Sequence, residues 1–200
     1  MLCAQNAAHH TGENLTGKQE TMKYRLAQAI RECMKTTPVD KITIREIVQT
    51  CGTTRQTFYR HFTDKYDLIN WYFDKLLAES FAHMGEGKTV YEGLVKKFLY
   101  IEEEHLFFAA AFRSDDRNSL KEHDFALILS FYLDLIKEKT GRAPDERIRF
   151  LLEMYCQGSI YMTVKWVLGG LKMTHREMAA LLVDAMPEPV RRLFGQLKLL

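Results

Sequence analysis

The sequence predicts an all-α protein in two parts, a small N-terminal domain of short helices and a larger C-terminal helical domain. Three observations carry this. Apolar residues recur at helical spacing along most of the chain, and no stretch alternates as a half-buried strand would. Helix-start and helix-stop residues punctuate the pattern closely at first and more widely later. The charge is uneven: residues 18–77 hold 11 Lys and Arg against 7 Asp and Glu, whereas residues 78–200 hold 17 against 18.

The first helix is expected over about Lys18 to Lys35, because Leu26, Ile30, Cys33 and Met34 share one face at i, i+4, i+7 and i+8. Thr36-Thr37-Pro38 ends it, since proline excludes the α conformation for the residue before it. A second, short helix runs from about Thr43 to Thr50, with Ile44, Ile47, Val48 and Cys51 as its apolar stripe. Thr43 suits the N-cap, and Glu46 stands three residues on, the spacing of a capping box. Gly52 holds the place of a helix-ending residue. Thr53 or Thr54 starts a third helix reaching about Phe62, and Thr63-Asp64 starts a fourth that carries Leu68, Trp71, Tyr72 and Leu76. Residues 83–88 break the pattern. Helices are then expected near 89–103, 105–113, 119–139, 144–168, 174–185 and 188–197, with breaks at 113–118, 140–144 and Gly169-Gly170. The parts expected are a mobile tail over 1–17, a small helical domain over 18–77 and a larger helical domain over 78–200.

Much is excluded. The cysteines Cys3, Cys33, Cys51 and Cys156 form no CxxC pair, so neither a zinc site nor a disulfide framework is indicated. Scattered thiols suit a reducing cytoplasm. Residues 1–17 lack the basic start and apolar stretch of a secretory signal. The longest apolar patch, Leu106 to Phe112, falls far short of the ~18–20 residues of a membrane span. There is no Gly-rich phosphate loop, GxSxG, HExxH or dinucleotide fingerprint. In Glu102-Glu103-Glu104-His105 consecutive side chains point round a helix, which describes a solvated turn rather than a metal site. The expectation is a cytoplasmic protein that is not an enzyme and needs no cofactor or metal.

The stretch CGTTRQTFYRHFTDK, residues 51–65, mixes rings with basic groups. With the helix before it, it reads as short helix, glycine turn, short helix: a helix-turn-helix, whose second helix enters the DNA major groove. Phe58 and Phe62 face inward at i and i+4. Arg55, Gln56 and Thr57 lie at the exposed N-terminal end, where Arg suits guanine, Gln adenine and a Thr methyl thymine. Tyr59, Arg60, His61 and Lys65 suit phosphate, as do Thr43, Thr53 and Thr54 with the amides they cap. The helix mixes rings and charges because it must both pack and touch a polyanion.

TIREIVQTCGTTRQTFYRHFTDKYDLI resembles the DNA-binding domain of the TetR family of bacterial transcriptional regulators. The matching residues are Thr43 with Ile47-Val48, then Cys51-Gly52-Thr53-Thr54, then Thr57 to Phe62, then Asp64-Lys65 with Leu68. Val48 and Cys51 stand where the family has alanine, and Thr53 where it has valine. The resemblance implies an all-helical homodimer with a helix-turn-helix DNA-binding domain, here 18–77, and a variable C-terminal domain for effector binding and dimerisation, here 78–200. More weakly, Gly158-Ser159, then Lys165-Trp166-Val167-Leu168-Gly169-Gly170 and Met186-Pro187 are similar to the C-terminal type of the dihydroxyacetone-kinase operon activator.

In the C-terminal domain Phe98, Phe108, Phe112, Tyr132, Tyr155, Met162 and Trp166 are the candidates for an effector pocket, although for any one of them a place in a plain helical core is the stronger reading. The resemblance implies a four-helix bundle across the dimer two-fold, built from the last two long helices. Tyr155, Ser159, Met162, Met178 and Leu182 are the candidates there, and Gly158-Ser159 would let a second helix approach closely. The reading is a dimeric repressor on a pseudo-palindromic operator, answering at its C-terminal domain to an effector, an unknown small molecule or a protein co-regulator. Two alternatives stay open: an activator controlled by a protein co-regulator, and a helical interaction protein without DNA binding.

Overall fold

The computed structural model describes residues 6–82, 84, 86, 88–114 and 120–200, with side chains from Glu20 onward. Ten α-helices and no strand occur among the described residues, where Met84 and Lys88 form one isolated bridge. No described helix is long and apolar enough to cross a membrane. The chain divides into two compact units, Met1–Tyr72 and Phe73–Leu200.

The first unit holds α1 (Asn6–Met34), a 3₁₀ turn at Val39–Lys41, α2 (Ile44–Cys51), α3 (Arg55–Tyr59) and the start of α4 (Lys65–Phe81). α1 reaches back to Asn6, well before the expected start at Lys18. No proline lies between them to stop it, so it runs into the segment expected as a tail. Residues 1–5 of that tail lie outside the described residues. Leu26, Ile30, Ile47, Phe58 and Leu68 are wholly buried and form the centre of this unit.

The second unit holds the rest of α4, then α5 (Val90–Glu103), α6 (His105–Phe112), α7 (Leu120–Thr140), α8 (Glu146–Leu168), α9 (His175–Asp184) and α10 (Glu188–Gln196). Most of the break expected at 113–118 lies outside the described residues. Capping boxes fix two starts, Thr89 with Glu92 on α5 and Thr174 with Glu177 on α9. Asp145 caps α8 by accepting from the Ile148 N–H at 2.8 Å. α5 packs against α9, and α7 against α8. Between α5 and α7 the Lys97 ammonium donates to both carboxylate oxygens of Asp124, at 2.8 and 2.9 Å, with the two side chains 5% and 0% exposed. Nothing in the helical periodicity announces this ion pair inside an aromatic core.

Candidate nucleic-acid interface

The recognition unit is assembled from local chemistry. Thr43 caps α2 with the full reciprocal box: its hydroxyl accepts from the Glu46 N–H, and the Glu46 carboxylate accepts from the Thr43 N–H at 2.7 Å. The Thr43 hydroxyl, which also donates to the Glu46 carboxylate at 2.7 Å, and then the Thr43 N–H hold the Glu46 carboxyl below its ordinary pKa. α2 ends at Gly52, whose φ of +66° is left-handed, while a Cβ there would meet nothing within 4 Å. Glycine is therefore used for its backbone and not for space. The Thr53 N–H then reaches back to the Val48 carbonyl at 2.9 Å, closing the turn. Thr54, extended at φ −112°, accepts from the Thr57 N–H at 3.2 Å and starts α3.

α3 sits on buried rings. Phe58 is 0% and Phe62 3% exposed, their centroids 5.9 Å apart. Long-range bonds brace this seat. Arg25 of α1 donates to the Cys51 carbonyl at 3.0 Å. Lys65 donates to the carbonyls of Asp40 and Ile42 at 2.9 and 3.0 Å, and the Tyr66 hydroxyl donates to Asp40. Lys65, expected at phosphate, is thus engaged within the unit, tying the start of α4 to the 3₁₀ turn.

The rest of the predicted set faces outward. Thr54, Arg55, Gln56, Tyr59 and Arg60 are exposed, Tyr59 at 58%. Thr53, Thr57 and His61 are half-buried. The side chains of Arg55, Gln56, Tyr59 and Arg60 have no hydrogen-bond or ion-pair partner among the described residues. Thr43 is exposed, its hydroxyl shared with Glu46. α3 ends at Tyr59, earlier than expected, and Arg60, His61 and Phe62 follow as a turn whose amides at 61 and 62 return to the Phe58 carbonyl. His61 is pushed below its ordinary pKa, first by burial and then by the charges of Lys23 and Arg60. Lys23 of α1 was not singled out from the sequence, and neither was Arg45, exposed on the first turn of α2. A basic residue's position relative to α3 depends on packing between helices, so no spacing rule finds it.

The other candidates divide by burial. Phe98, Phe108, Phe112, Tyr132, Tyr155 and Trp166 are all buried, whereas Met162 is 43% exposed. The rings pack on one another, Phe98 on Trp166 at 5.5 Å, Phe108 on Phe112 at 5.9 Å and Tyr132 on Phe194 at 5.5 Å. Their polar tips are satisfied: Tyr155 donates to the Leu182 carbonyl and Trp166 to that of Met173, both at 2.9 Å. Beside them, burial pushes the Cys156 thiol up to about 12, so it is a packing group. Of the residues named for a dimer contact, Tyr155, Met178 and Leu182 are buried inside the second unit, and Ser159 returns its hydroxyl to the carbonyls of Tyr155 and Cys156. The exposed stripe of α8 is a different one: Phe150 (61%), Met154 (59%), Gly158 and Tyr161 (67%), with Met162 beside it and Leu181 exposed on α9.

A short, capped helix that turns unpartnered Arg, Gln and Tyr groups outward from a three-helix seat defines a helix-turn-helix DNA-binding protein. The chain belongs to the TetR family of bacterial transcriptional regulators. Residues 26–71 match the family described as bacterial regulatory proteins, tetR family, and residues 88–188 match a transcriptional regulator C-terminal region. Among characterised proteins it is similar to the HTH-type dhaKLM operon transcriptional activator DhaS of Lactococcus lactis subsp. lactis (strain IL1403). The two are 27% identical over 115 residues, 56% of this chain and 58% of that one. The match thus spans little more than half the length of that relative. Among solved structures, a dihydroxyacetone kinase operon activator DhaS shares the fold, with TM-score 0.60 and 18% identity over 88% of this chain and 96% of the other. So does a TetR transcriptional regulator from Streptococcus agalactiae 2603V, with TM-score 0.63 and 20% identity over 88% and 99%.

Proposed function

We propose that this regulator is a cytoplasmic homodimer that presents two copies of α3 to successive major grooves of a pseudo-palindromic operator, about 34 Å apart in the simplest case. One observation carries the reading: among the described residues, Arg55, Gln56, Tyr59 and Arg60 are exposed without a hydrogen-bond or ion-pair partner, and the Thr54 cap starts the helix that carries the first three. Gln56 and Arg55 are the base readers, with Thr57 beside them. Tyr59, Arg60 and His61, with the hydroxyls of Thr53 and Thr54, bind phosphate, Thr43 holds the start of α2 through Glu46, and Lys65 supports them from the start of α4. The domains run as 18–77 for DNA and 78–200 for control and dimerisation.

The second copy docks on α8 and α9. Phe150, Met154 and Tyr161 keep helical register along the exposed side of α8, and a Cβ at Gly158 would meet nothing within 4 Å, which suits a close helix crossing. Met162 and Ser159 flank that line on α8, and Leu181 is exposed on α9.

Control is exerted on the second unit, where a ligand acts through its different affinity for two states. The simplest sign is repression relieved by a small molecule. A second reading, an activator answering to a protein co-regulator, is favoured by the mutual packing of Phe98, Trp166, Phe108, Phe112, Tyr132 and Phe194, and by the similarity to an operon activator.

The test is selection of sites from a random duplex pool by the purified protein at ~150 mM salt, where non-specific binding is suppressed. The expected result is an enriched palindrome. A folded, dimeric protein that enriches no sequence overturns the operator reading.

A further inference from the structure

Lys23 lies on α1, outside the helix-turn-helix motif, and its position is defined by aromatic rings. Its ammonium is 5.4 Å from the ring centroid of Phe62 and 5.4 Å from that of Trp71. These rings are themselves fixed. Phe62 packs on Trp71 at 5.7 Å, and Tyr24 meets Trp71 edge-on at 5.1 Å. A lysine on a flexible stem is normally mobile, but ring faces attract the cation and hold it in place.

Among the described residues the held charge has no counter-ion. No carboxylate or hydrogen-bond acceptor among the described residues engages the Lys23 ammonium. His61 feels both Lys23 and Arg60, and Arg60 stands exposed at the end of α3 without a partner. Three basic side chains therefore converge where the recognition helix runs out, and they repel one another. Such a cluster is stabilised by an anion placed among them. α3 is built to meet a polyanion, so a backbone phosphate is the group that fits.

We infer that Lys23, held over Phe62 and Trp71, forms with Arg60 and His61 a phosphate site that extends the DNA contact from the recognition helix onto α1. Lys23 supplies ammonium N–H donors, and Arg60 supplies guanidinium donors. The site reads no sequence. It anchors the backbone beyond the C-terminal end of α3 and so restrains how that helix lies in the groove. This inference rests on the DNA-binding reading.

The probe is a fluorescently labelled 30-bp duplex of arbitrary sequence, followed by anisotropy against KCl, with Lys23→Gln and Lys23→Arg beside the unaltered full chain. Loss of one phosphate contact lowers the slope of log K against log salt by about 0.9, and affinity at low salt drops about tenfold. Lys23→Gln is expected to show both effects, and Lys23→Arg to restore the slope. Thermal unfolding separates a structural role. A Lys23→Gln protein that melts lower but keeps the full salt slope overturns the inference, and so does an unchanged slope in a protein of unchanged stability. If the unaltered protein binds no duplex at low salt, the DNA-binding reading fails and the phosphate site with it. If it binds normally and only the Lys23→Gln slope is unchanged, the phosphate site alone fails.

Discussion

Replacing Asp124 by leucine removes the only carboxylate bonded to Lys97 among the described residues, inside a unit whose neighbours are rings. The carboxylate is 0% and the lysine 5% exposed, and the ammonium reaches both oxygens at 2.8 and 2.9 Å. At an effective dielectric of about 20, unit charges at that distance attract by roughly 6 kcal/mol. Burying each ion costs several kcal/mol, so the intact pair contributes little net. Removing one partner leaves the other's desolvation uncompensated, with only the Phe73 face 5.6 Å from the ammonium. Asp124→Leu is therefore expected to cost about 3–5 kcal/mol. For a chain of this size that lowers the melting midpoint by roughly 6–20 °C. The double variant Lys97→Met/Asp124→Leu should return to within about 1 kcal/mol of the original stability, since no charge is then buried. Urea unfolding followed by circular dichroism, at one fixed protein concentration, measures all three. A loss under about 1 kcal/mol for Asp124→Leu would show that water solvates the pair and refute the reasoning. A double variant no better than the single one would do the same.

Three further outcomes test the DNA-binding and dimer surfaces. Gln56→Ala should relax choice at one base position of the selected operator, by about 1–3 kcal/mol, and leave binding to unrelated duplex unchanged; uniform weakening across sequences would sink its role as a reader. His61 is depressed below the ordinary 6.5, so folding stability is full above that pH and declines as pH falls through it, because the unfolded imidazole takes up its proton first. A phosphate has the opposite effect on the bound form. DNA affinity should rise from about pH 8 to about pH 6, and titrations of His61→Gln at constant salt should lack that rise. Tyr161 is 67% exposed, so Tyr161→Asp should leave the monomer's melting nearly unchanged while weakening the dimer by 2 kcal/mol or more, roughly thirtyfold. Sedimentation equilibrium reads this, and an unchanged dimer would place the two-fold elsewhere.

The sequence by itself determined the features that act within a turn or two of helix. The Thr43–Glu46 box, a threonine cap at 53 or 54 (the structure uses Thr54), the helix-ending Gly52 and the inward pair Phe58 and Phe62 are all local in this sense. So is the order of the helices, because caps and periodicity involve neighbours three or four residues apart. Tertiary structure decided what depends on distant partners. Lys65 meets the carbonyls of Asp40 and Ile42 from more than twenty residues away, Lys97 meets Asp124 on another helix, and Lys23 is held by rings of Phe62 and Trp71. The same holds for the outer face of α8. That helix is apolar on more than one side, so its sequence does not tell the stripe of Tyr155, which faces its own core, from the stripe of Phe150, Met154 and Tyr161, which faces out. An amphipathic pattern records that a face is apolar, and only the packing of α9 against Tyr155, through the Leu182 carbonyl, selects which one is buried.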